Sequence, residues 1–349
     1  TGMQDSATMN PALLSGLRVL DLSIWRPGPY ATSLLVALGA DVLKVEPPGG
    51  DPMRHYAALF ESINAGKRSI ELDLKDGDCR EQATALAMEA DVLVEGFRPG
   101  VMARLGLDAD TVRGANPALV YCSISGYGQD DPRAQLPGHD VNYQAWAGAL
   151  APEGGTARVS ALPIADLAGG MAAAFGICAA VLGRHATGEG TYLDVSMTDV
   201  LATWTGNVGA NDGAGDGAPS ASGPVPGYGI FDTADGAQIA LGVISEQHFW
   251  SNLCAELGLE DLAPMTFAQR STRGAESQKA VAAAIAGRSR DELVAALTAA
   301  AVPVAPVLDR SGMVAAAPFP PFPIRLALPE VPAVAPALDQ HRGEGFPPR

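Results

Sequence analysis

The first two hundred residues alternate short apolar runs with longer segments of helical character. Short apolar runs that are bounded by polar or glycine-containing turns are typical of buried strands. Strands are predicted at Leu17–Ser23, Asp41–Glu46, Ser69–Leu74, Asp91–Glu95, Ala118–Ile124 and Thr191–Ser196. Strands that alternate with helices in this way form a mostly parallel sheet with helices on both faces. The pattern therefore predicts an α/β fold.

The segments between these runs are predicted as helices. The main ones lie at Tyr30–Leu38, Cys79–Glu89, Asp166–Arg184 and Met197–Trp204. In parallel sheets, ligands bind beyond the carboxyl ends of the strands. The first loops to inspect are therefore Ile24–Pro29, Pro47–Arg54 and Gly96–Gly100.

The composition changes after this region. Gly206–Gly227 is rich in Gly, Pro, Ser and Asp and cannot bury a core, so it is predicted as a linker or mobile loop. Tyr228–Ile244 then has the pattern of a hairpin, with Asp235 and Gly236 at its turn. Further helices are predicted at Glu246–Leu257, Ala275–Ala286 and Arg290–Ala300. This part of the chain is expected to form a second, smaller domain.

Charge and cysteine content exclude several classes of protein. The 349 residues include 23 Lys and Arg against 39 Asp and Glu, a formal net charge of −16, so a general nucleic-acid-binding protein is not expected. The four cysteines show no CxxC and no Cys/His ligand pattern, which fits a reducing cytoplasm and predicts no structural metal. The longest apolar run, Met171–Leu182, is short for a bilayer span, and no membrane insertion is expected.

Three acidic positions at predicted helix starts are candidates for chemistry. Gly138, His139 and Asp140 are consecutive, and an imidazole serves as acid or base near neutral pH. Asp166 lies among small and apolar residues, where burial raises a carboxyl pKa and a helix N-terminus lowers it. Glu246 begins another helix. Each carboxylate also has an ordinary interpretation as a helix cap or first-turn acid, and His139 as a surface residue.

A few basic residues lie near predicted loops and helix ends in this base-poor chain. They are Lys67, Arg68, Arg98 and Arg104, and they are either solvated surface residues or the binding site of a phosphorylated ligand. The chain has no GxGxxG turn after its first strand, no Walker loop, no HExxH and no GxSxG. This disfavours dinucleotide oxidoreductases, P-loop enzymes, zincins and elbow-type serine hydrolases.

Several of these stretches together resemble the family III CoA-transferase/racemase superfamily, the CaiB/BaiF-like proteins, and within it the α-methylacyl-CoA racemases. The matching stretches include PGPYATSLLVALGADVLKVEPPGGDPMR, ADVLVEGFRPGVMARLGL, GHDVNYQAWAG, ADLAGG and GEGTYLDVSMTD. They cover residues 15–204 densely and in the right order, and residues 228–310 match more loosely.

The resemblance implies a Rossmann-like large domain, a small α+β domain and an interlocked homodimer whose sites lie between the large domain of one subunit and the small domain of its partner. The expected boundaries are 10–204 with 310–349 for the large domain, 205–227 for the linker and 228–309 for the small domain. The implied ligand is an acyl-CoA thioester, with coenzyme A as part of the substrate and no redox or metal cofactor.

The resemblance also assigns roles to residues. His139 and Asp140 fall on the family's GHD motif, Asp166 falls on its active-site aspartate, and Glu246 falls on a small-domain glutamate. In the ExxF pattern of that glutamate, Gln247 stands where the family usually has Pro. The CoA-contacting set is expected to comprise Lys67, Arg68, Arg98, Arg104, Gly138 and Tyr143.

Three functions remain open, with a racemase favoured. A racemase of 2-methylacyl-CoA thioesters would use His139 and Asp166 as its two bases, Glu246 to orient His139, and main-chain N–H groups near Asp166 to hold the enolate oxygen. A CoA-transferase would use Asp166 as a nucleophile that forms an aspartyl-CoA thioester. His139 favours the racemase, since transferases generally lack a histidine there.

The third function is an acyl-CoA-binding protein without turnover. The segment after Leu308 is shorter than in typical members, and a lost loop there would alter the site. Arg26 stands where transferases such as formyl-CoA transferase tend to carry a catalytic Gln, and it also differs from the small residue common in racemases. An Arg26 that points into the site would pair with a carboxylate and would indicate an acid as substrate or acceptor.

Overall fold

A computed structural model of the chain describes residues 12–150, 157–209, 225–316, 332 and 334–348. These residues divide into two compact units. The first contains the described residues up to 209 and those from 332 onward, and the second contains residues 225–316. The predicted boundaries were 204 and 310, whereas the structure keeps the chain with the first unit up to 209 and with the second up to 316. Most of the predicted linker, 210–224, lies outside the described residues.

The first unit is built on a six-stranded parallel sheet in the order β3-β2-β1-β4-β5-β6. Its strands are β1 Arg18–Asp21, β2 Asp41–Glu46, β3 Arg68–Glu71, β4 Val92–Glu95, β5 Val120–Ser125 and β6 Tyr192–Ser196. The central strands β4 and β5 are buried along their whole length, because helices cover both faces of the sheet. This confirms the predicted α/β fold and gives it the strand order of a Rossmann-like domain.

The helices of this unit are α1 Pro27–Ala37, α2 Ala57–Asn64, α3 Gly77–Glu89, α4 Val101–Leu105, α5 Ala109–Ala115, α6 Asp140–Trp146, α7 Ile164–Thr187 and α8 Met197–Gly209. One face of the sheet packs against α1 and α7 through Leu35, Ile177 and Val181. The other face packs against α3 and α5 through Leu86 and Val112.

Helix α7 is longer than the predicted Asp166–Arg184 segment. Among the described residues it is the one helix long and apolar enough, by length and composition, to cross a membrane. Its alanine-rich face lies in the core of the first unit, where Ala165, Ala173 and Ile177 are buried. Small side chains let the helix approach its neighbours closely, which explains the alanine and glycine content of this sequence.

The second unit combines an antiparallel sheet with helices around its own core. Strands β7 Tyr228–Asp232 and β8 Gln238–Gly242 form the predicted hairpin, and β9 Val304–Pro306 pairs with β8. The turn has a positive φ at Gly236, as its Asp-Gly sequence predicts. The helices are α9 Gln247–Leu257, α10 Phe267–Thr272, α11 Gly274–Ile285, α12 Arg290–Ala299 and α13 Arg310–Ala316.

The described C-terminal residues follow the edge strand β3 of the first unit. The His341 N–H donates to the Ser69 carbonyl at 3.0 Å, and the Ser69 N–H donates to His341 Nδ1 at 3.1 Å. Phe346 is buried against the core. The edge strand is therefore covered by the end of the chain rather than left open.

Candidate active site

Asp166 occupies the third residue of α7, where the helix crosses the start of α1. The approach is so close that neither glycine leaves room for a side chain. A Cβ at Gly170 would lie 2.6 Å from the Pro27 carbonyl oxygen, and one at Gly169 would lie 2.6 Å from the Met197 side chain. The two glycines one turn after Asp166 therefore bring the first turn of α7 against α1. This packing leaves Asp166 half-buried near the carboxyl ends of the central strands.

Asp140 caps the helix that carries Asp166. Its Oδ1 accepts hydrogen bonds from the Ala165 N–H at 2.8 Å and the Asp166 N–H at 3.1 Å. Its Oδ2 accepts a hydrogen bond from the buried amide of Gln144. Pro163, the residue before α7, cannot provide a side-chain acceptor, so Asp140 supplies the cap from α6. The structure thus places Asp140 in a positioning role.

These hydrogen bonds also correct one expectation about the enolate. The N–H groups of Ala165 and Asp166 donate to Asp140, and the Leu167 N–H donates to the Pro163 carbonyl at 3.0 Å. The N–H groups of these three residues are therefore already occupied inside the protein and are not free to hold an enolate oxygen.

The carboxyl of Asp166 has an unusual pKa. Burial first, and then the charge of Asp140, raise this pKa to about 7 against the opposing effect of the nearby Arg26. The effect of burial that the sequence predicted is therefore present at Asp166. Asp166 is poised to change charge near neutral pH.

The Gly-His-Asp segment is ordered by two tyrosines. The Tyr143 hydroxyl donates to the Gly138 carbonyl at 2.6 Å, and its ring packs edge-on against Tyr127 at 5.2 Å between centroids. A Cβ at Gly138 would lie 2.8 Å from the Tyr143 ring, which explains the glycine. His139 precedes α6 and its side chain is exposed, so it is open to a ligand. Tyr143 serves here as a packing and positioning residue.

Arg26 lies on the same side of the sheet as Asp166. It is the last residue before α1, in the loop that leaves β1, and its side chain is half-buried. It is near enough to Asp166 for its charge to lower the pKa of that carboxyl. Its guanidinium takes part in none of the side-chain hydrogen bonds or ion pairs within the described ranges.

Lys67 is placed differently from its expected contact with CoA. Its side chain is fully buried, and its ammonium reaches Asp21 at 3.1 Å, the Pro29 carbonyl at 2.9 Å and Asn64 Oδ1 at 2.9 Å. An ammonium has three N–H donors, so these three acceptors use its capacity. Lys67 therefore stabilises the start of α1 from inside the protein.

The other basic residues divide into two groups. Arg68 binds Asp41 through two hydrogen bonds of 2.9 and 2.7 Å and also donates to the Gly345 carbonyl. It lies at the first residues of β2 and β3, the end of the sheet opposite the candidate site, and this disagrees with the expected contact with CoA. Arg98 and Arg104 are exposed on the loop and helix after β4, at the site end.

Glu246 lies in the second unit as the residue before α9. Its carboxylate is exposed, and Oε2 accepts a hydrogen bond from the Ile244 N–H at 3.3 Å. Hydrogen bonds from backbone N–H groups, its own first among them, lower its pKa. Its expected role beside His139 stays a prediction, as does the homodimer. Within the described part of the chain, no group of three His, Cys, Asp or Glu side chains is arranged to hold a metal ion.

Sequence reasoning did not identify Gln144 and Asp21, which support the site from beneath. Gln144 is buried and holds Asp140, and Asp21 is buried and holds Lys67. Two signals were available in the sequence. Gln144 is an amide within a predicted helix and Asp21 is an aspartate at the end of a hydrophobic strand, and polar side chains that become buried in such positions need partners.

Comparison with known proteins agrees with this architecture. The family model described as CoA-transferase family III matches residues 14–320. An acetyl-CoA:oxalate CoA-transferase of Acetobacter aceti is 34% identical over 318 residues, 84% of this chain and 80% of the relative. A CaiB/BaiF family protein from Brucella suis has a similar structure, with a TM-score of 0.82, 27% sequence identity, and coverage of 94% of this chain and 97% of the other.

The chain therefore belongs to the family III CoA-transferases, an enzyme family that also contains racemases. The human α-methylacyl-CoA racemase is 34% identical over 264 residues, 71% of this chain and 65% of the relative. Among eight similar proteins, seven are named CoA-transferases and this one is named a racemase. Overall similarity thus agrees with the predicted family and leans away from the favoured activity.

Proposed function

We propose that this protein is a CoA-transferase that moves CoA from an acyl-CoA to a carboxylic acid, with Asp166 as its nucleophile. The observation that carries the proposal is the half-buried carboxylate of Asp166 beside the cationic Arg26. The cation stabilises the ionised form that a nucleophile needs, and it suits a reaction in which carboxylates enter and leave. The prevalence of transferases among its relatives supports the same activity.

The steps balance without an added cofactor. The Asp166 carboxylate attacks the thioester carbonyl, which forms a mixed anhydride and releases the CoA thiolate. The thiolate attacks the aspartyl carbonyl of the anhydride, which forms aspartyl-CoA and releases the donor acid. An acceptor carboxylate then attacks aspartyl-CoA, and the thiolate released in that step attacks the new acyl group. The products are a new acyl-CoA and the free Asp166 carboxylate.

Within this scheme, the residues around Asp166 have separate tasks. Asp140 fixes the first turn of α7 and so holds the Asp166 backbone in place. The exposed Arg98 and Arg104 are proposed to bind the phosphates of CoA, since both lie at the site end of the sheet. Lys67 and Arg68 are left out of this set because internal acceptors hold them.

A racemase is the second candidate, and His139 is the observation that favours it. Its exposed imidazole lies one residue before the cap of α7, and a carboxyl with a pKa of about 7 suits a residue that must both take and return a proton. The occupied N–H groups at the start of α7 count against it, since they offer the enolate oxygen no donors.

One experiment separates these functions. The purified protein is incubated in deuterated water with acetyl-CoA, succinyl-CoA or a 2-methylacyl-CoA, without an acceptor acid, and both protein and thioester are analysed by mass spectrometry. The transferase predicts CoA attached covalently at Asp166, which is absent in Asp166→Asn. Deuterium at the α-carbon with mixed stereochemistry, and no adduct, would instead establish the racemase.

The binding protein without turnover predicts neither product. It predicts only that acyl-CoA raises the melting temperature of the protein. His139→Ala serves as the matched variant: the adduct at Asp166 is expected to persist in it, whereas α-proton exchange would be abolished.

A further inference from the structure

We infer that Arg26 is the residue that binds the carboxylate of the acceptor acid when Asp166 is esterified with CoA. The inference rests on the proposed transferase function and adds to it the residue that selects an anionic acceptor.

The loop is held in a conformation that its sequence does not favour. Trp25, directly before Arg26, has a φ of 63°, a left-handed conformation that is rare for a bulky residue. Its N–H donates to Asp51 Oδ1 at 3.2 Å, and Asp51 Oδ2 is paired with the buried Lys44 at 3.0 Å. Observed backbone strain of this kind persists where surrounding structure enforces it, and it is concentrated at functional sites.

The start of α1 is fixed from its other side as well. The Pro29 carbonyl accepts a hydrogen bond from Lys67 at 2.9 Å, and the Arg26 carbonyl accepts the Tyr30 N–H at 2.8 Å. A Cβ at Gly170 would lie 2.6 Å from the Pro27 carbonyl oxygen, so α7 touches the residue next to Arg26. The backbone of Arg26 is therefore rigidly placed beside the first turn of α7.

The Arg26 guanidinium has no hydrogen-bond or ion-pair partner among the residues that the structure describes. Two other half-buried arginines of the first unit hold carboxylates: Arg54 contacts Glu46 at 2.6 Å, and Arg184 contacts Asp91 at 3.2 Å. Arg26 forms no such pair with any residue that the structure describes. A partly desolvated guanidinium presents a planar set of donors that fits a carboxylate through two parallel hydrogen bonds.

The Arg26 guanidinium is proposed to act at the stage when Asp166 carries CoA. In the free enzyme, Asp166 supplies a negative charge near Arg26. In aspartyl-CoA that charge is gone, so Arg26 faces a neutral thioester while Asp140 remains bound to the backbone of α7. An acceptor carboxylate then restores the lost charge balance and is held beside the carbonyl that it attacks.

The test uses an exchange reaction, so that the natural acceptor need not be known. An acyl-CoA that forms the Asp166 adduct is mixed with its own acid in deuterated form, and transfer of the label into the thioester is measured. Arg26→Gln is compared with Arg26→Lys, which keeps the charge but loses the paired donors, and with Arg80→Gln, a half-buried arginine of α3 that binds main-chain carbonyls.

In Arg26→Gln, we expect the KM for the acid to rise about tenfold or more, which is the loss expected for a charge-assisted pair. Because Arg26 also lowers the pKa of Asp166, adduct formation is compared at a pH well above that pKa, where Asp166 is ionised with or without the cation. Under that condition, the KM for acyl-CoA and the rate of adduct formation are expected to change less than about twofold. Arg26→Lys should give an intermediate KM for the acid, and Arg80→Gln should behave as the unmodified protein.

Two results would overturn the inference. The first contradicts only the role of Arg26, and the second contradicts the transferase function itself. If Arg26→Gln forms the adduct and its KM for the acid is unchanged, or if adduct formation slows as much as exchange, then Arg26 does not bind the acceptor. If the unmodified protein forms no adduct with any acyl-CoA tested, the transferase function fails and this inference fails with it.

Discussion

Two aspartates of the same unit, the buried Asp21 and the half-buried Asp166, have pKa values shifted in opposite directions, and the more buried one has the lower pKa. Asp21 is fully buried at the end of β1, yet its pKa is lowered to about 2: burial alone would raise it, but Lys67, Lys44 and two hydroxyl groups together outweigh that effect. Asp166 is less buried, yet its pKa is raised to about 7 by burial and by Asp140. Depth alone therefore does not decide the charge of a carboxyl, because partners that stabilise the ionised form can outweigh burial, as they do at Asp21.

The contrast distinguishes a carboxylate that stabilises the fold, Asp21, from one that is able to react, Asp166. Asp21 receives hydrogen bonds from Thr32 at 2.6 Å and from Lys67 at 3.1 Å, and with Ser23 they leave it no free face. Asp166 has a cation nearby but no ion pair within the described ranges. A carboxylate whose partners are complete holds the fold together, whereas one whose partners are incomplete retains the capacity to react.

The largest effect on stability is expected from breaking the buried ion pair between Lys67 and Asp21. Lys67→Met leaves the Asp21 carboxylate buried beside only one remaining cation, Lys44. Removal of one partner of a buried ion pair costs about 3–5 kcal/mol of unfolding free energy. Urea denaturation followed by circular dichroism measures this difference.

The control removes both charges. Because the double variant Asp21→Leu/Lys67→Met leaves neither ion unpaired, it is expected to recover part of the lost stability. If Lys67 instead served CoA, Lys67→Met would keep its stability and lose affinity for acyl-CoA. That outcome would restore the original expectation for this lysine.

A smaller effect of opposite sign is expected in the pH dependence of stability. The folded-state pKa of Asp166, about 7, is above its unfolded value of about 4, so its contribution is full below pH 4 and is lost as the pH rises to 7. Asp166→Asn should therefore gain stability relative to the unmodified protein across this window, by about 2 kcal/mol after allowance for solvent screening.

Asp21 provides the matched comparison. Its folded-state pKa of about 2 is below its unfolded value, so its contribution is present above pH 4 and is lost as the pH falls toward 2. The penalty of Asp21→Asn should thus shrink at acid pH. Glu95, whose pKa burial raises to about 7, titrates in the same window as Asp166 but cancels in each comparison. Parallel curves for Asp166→Asn and the unmodified protein would show that Asp166 has an ordinary pKa.

The sequence predicted the features that depend on neighbouring residues, and it missed those that depend on residues far apart in the chain. The strand Asp41–Glu46 and the helix Arg290–Ala300 were predicted to within one residue, because hydrophobic periodicity and turn residues are local signals. The parallel sheet followed from their alternation. The resemblance to the family located Asp166, the half-buried carboxyl at the start of α7.

The missing parts depend on partners far apart in the chain. Lys67 is held by Asp21, 46 residues away, and Asp140 caps residues 25 and 26 positions beyond it. A lysine with a buried partner and a lysine on a phosphate-binding surface have the same local sequence. Only the fold distinguishes them, which is why the basic residues were assigned to CoA as one group.

The smallest expected effect concerns Asp140. It tests what sets the charge of Asp166, the carboxyl whose partners are incomplete. Asp140→Asn keeps an oxygen that accepts the Ala165 and Asp166 N–H groups, and Gln144 can rotate its amide to accept from the new Nδ2. Asn caps helices about as well as Asp, so stability should change by less than about 1 kcal/mol. The negative charge that helps to raise the pKa of Asp166 is removed.

The pKa of Asp166 should therefore fall. Because the nucleophile must be ionised, the acid limb of the rate of adduct formation at Asp166, measured against pH by rapid-quench mass spectrometry, should move to lower pH. Asp140→Ala separates charge from capping: it removes the same charge and also the cap, so it should shift the limb similarly while losing about 1 kcal/mol of stability and some of the maximal rate. An unshifted limb in both variants would mean that burial alone sets the charge of Asp166.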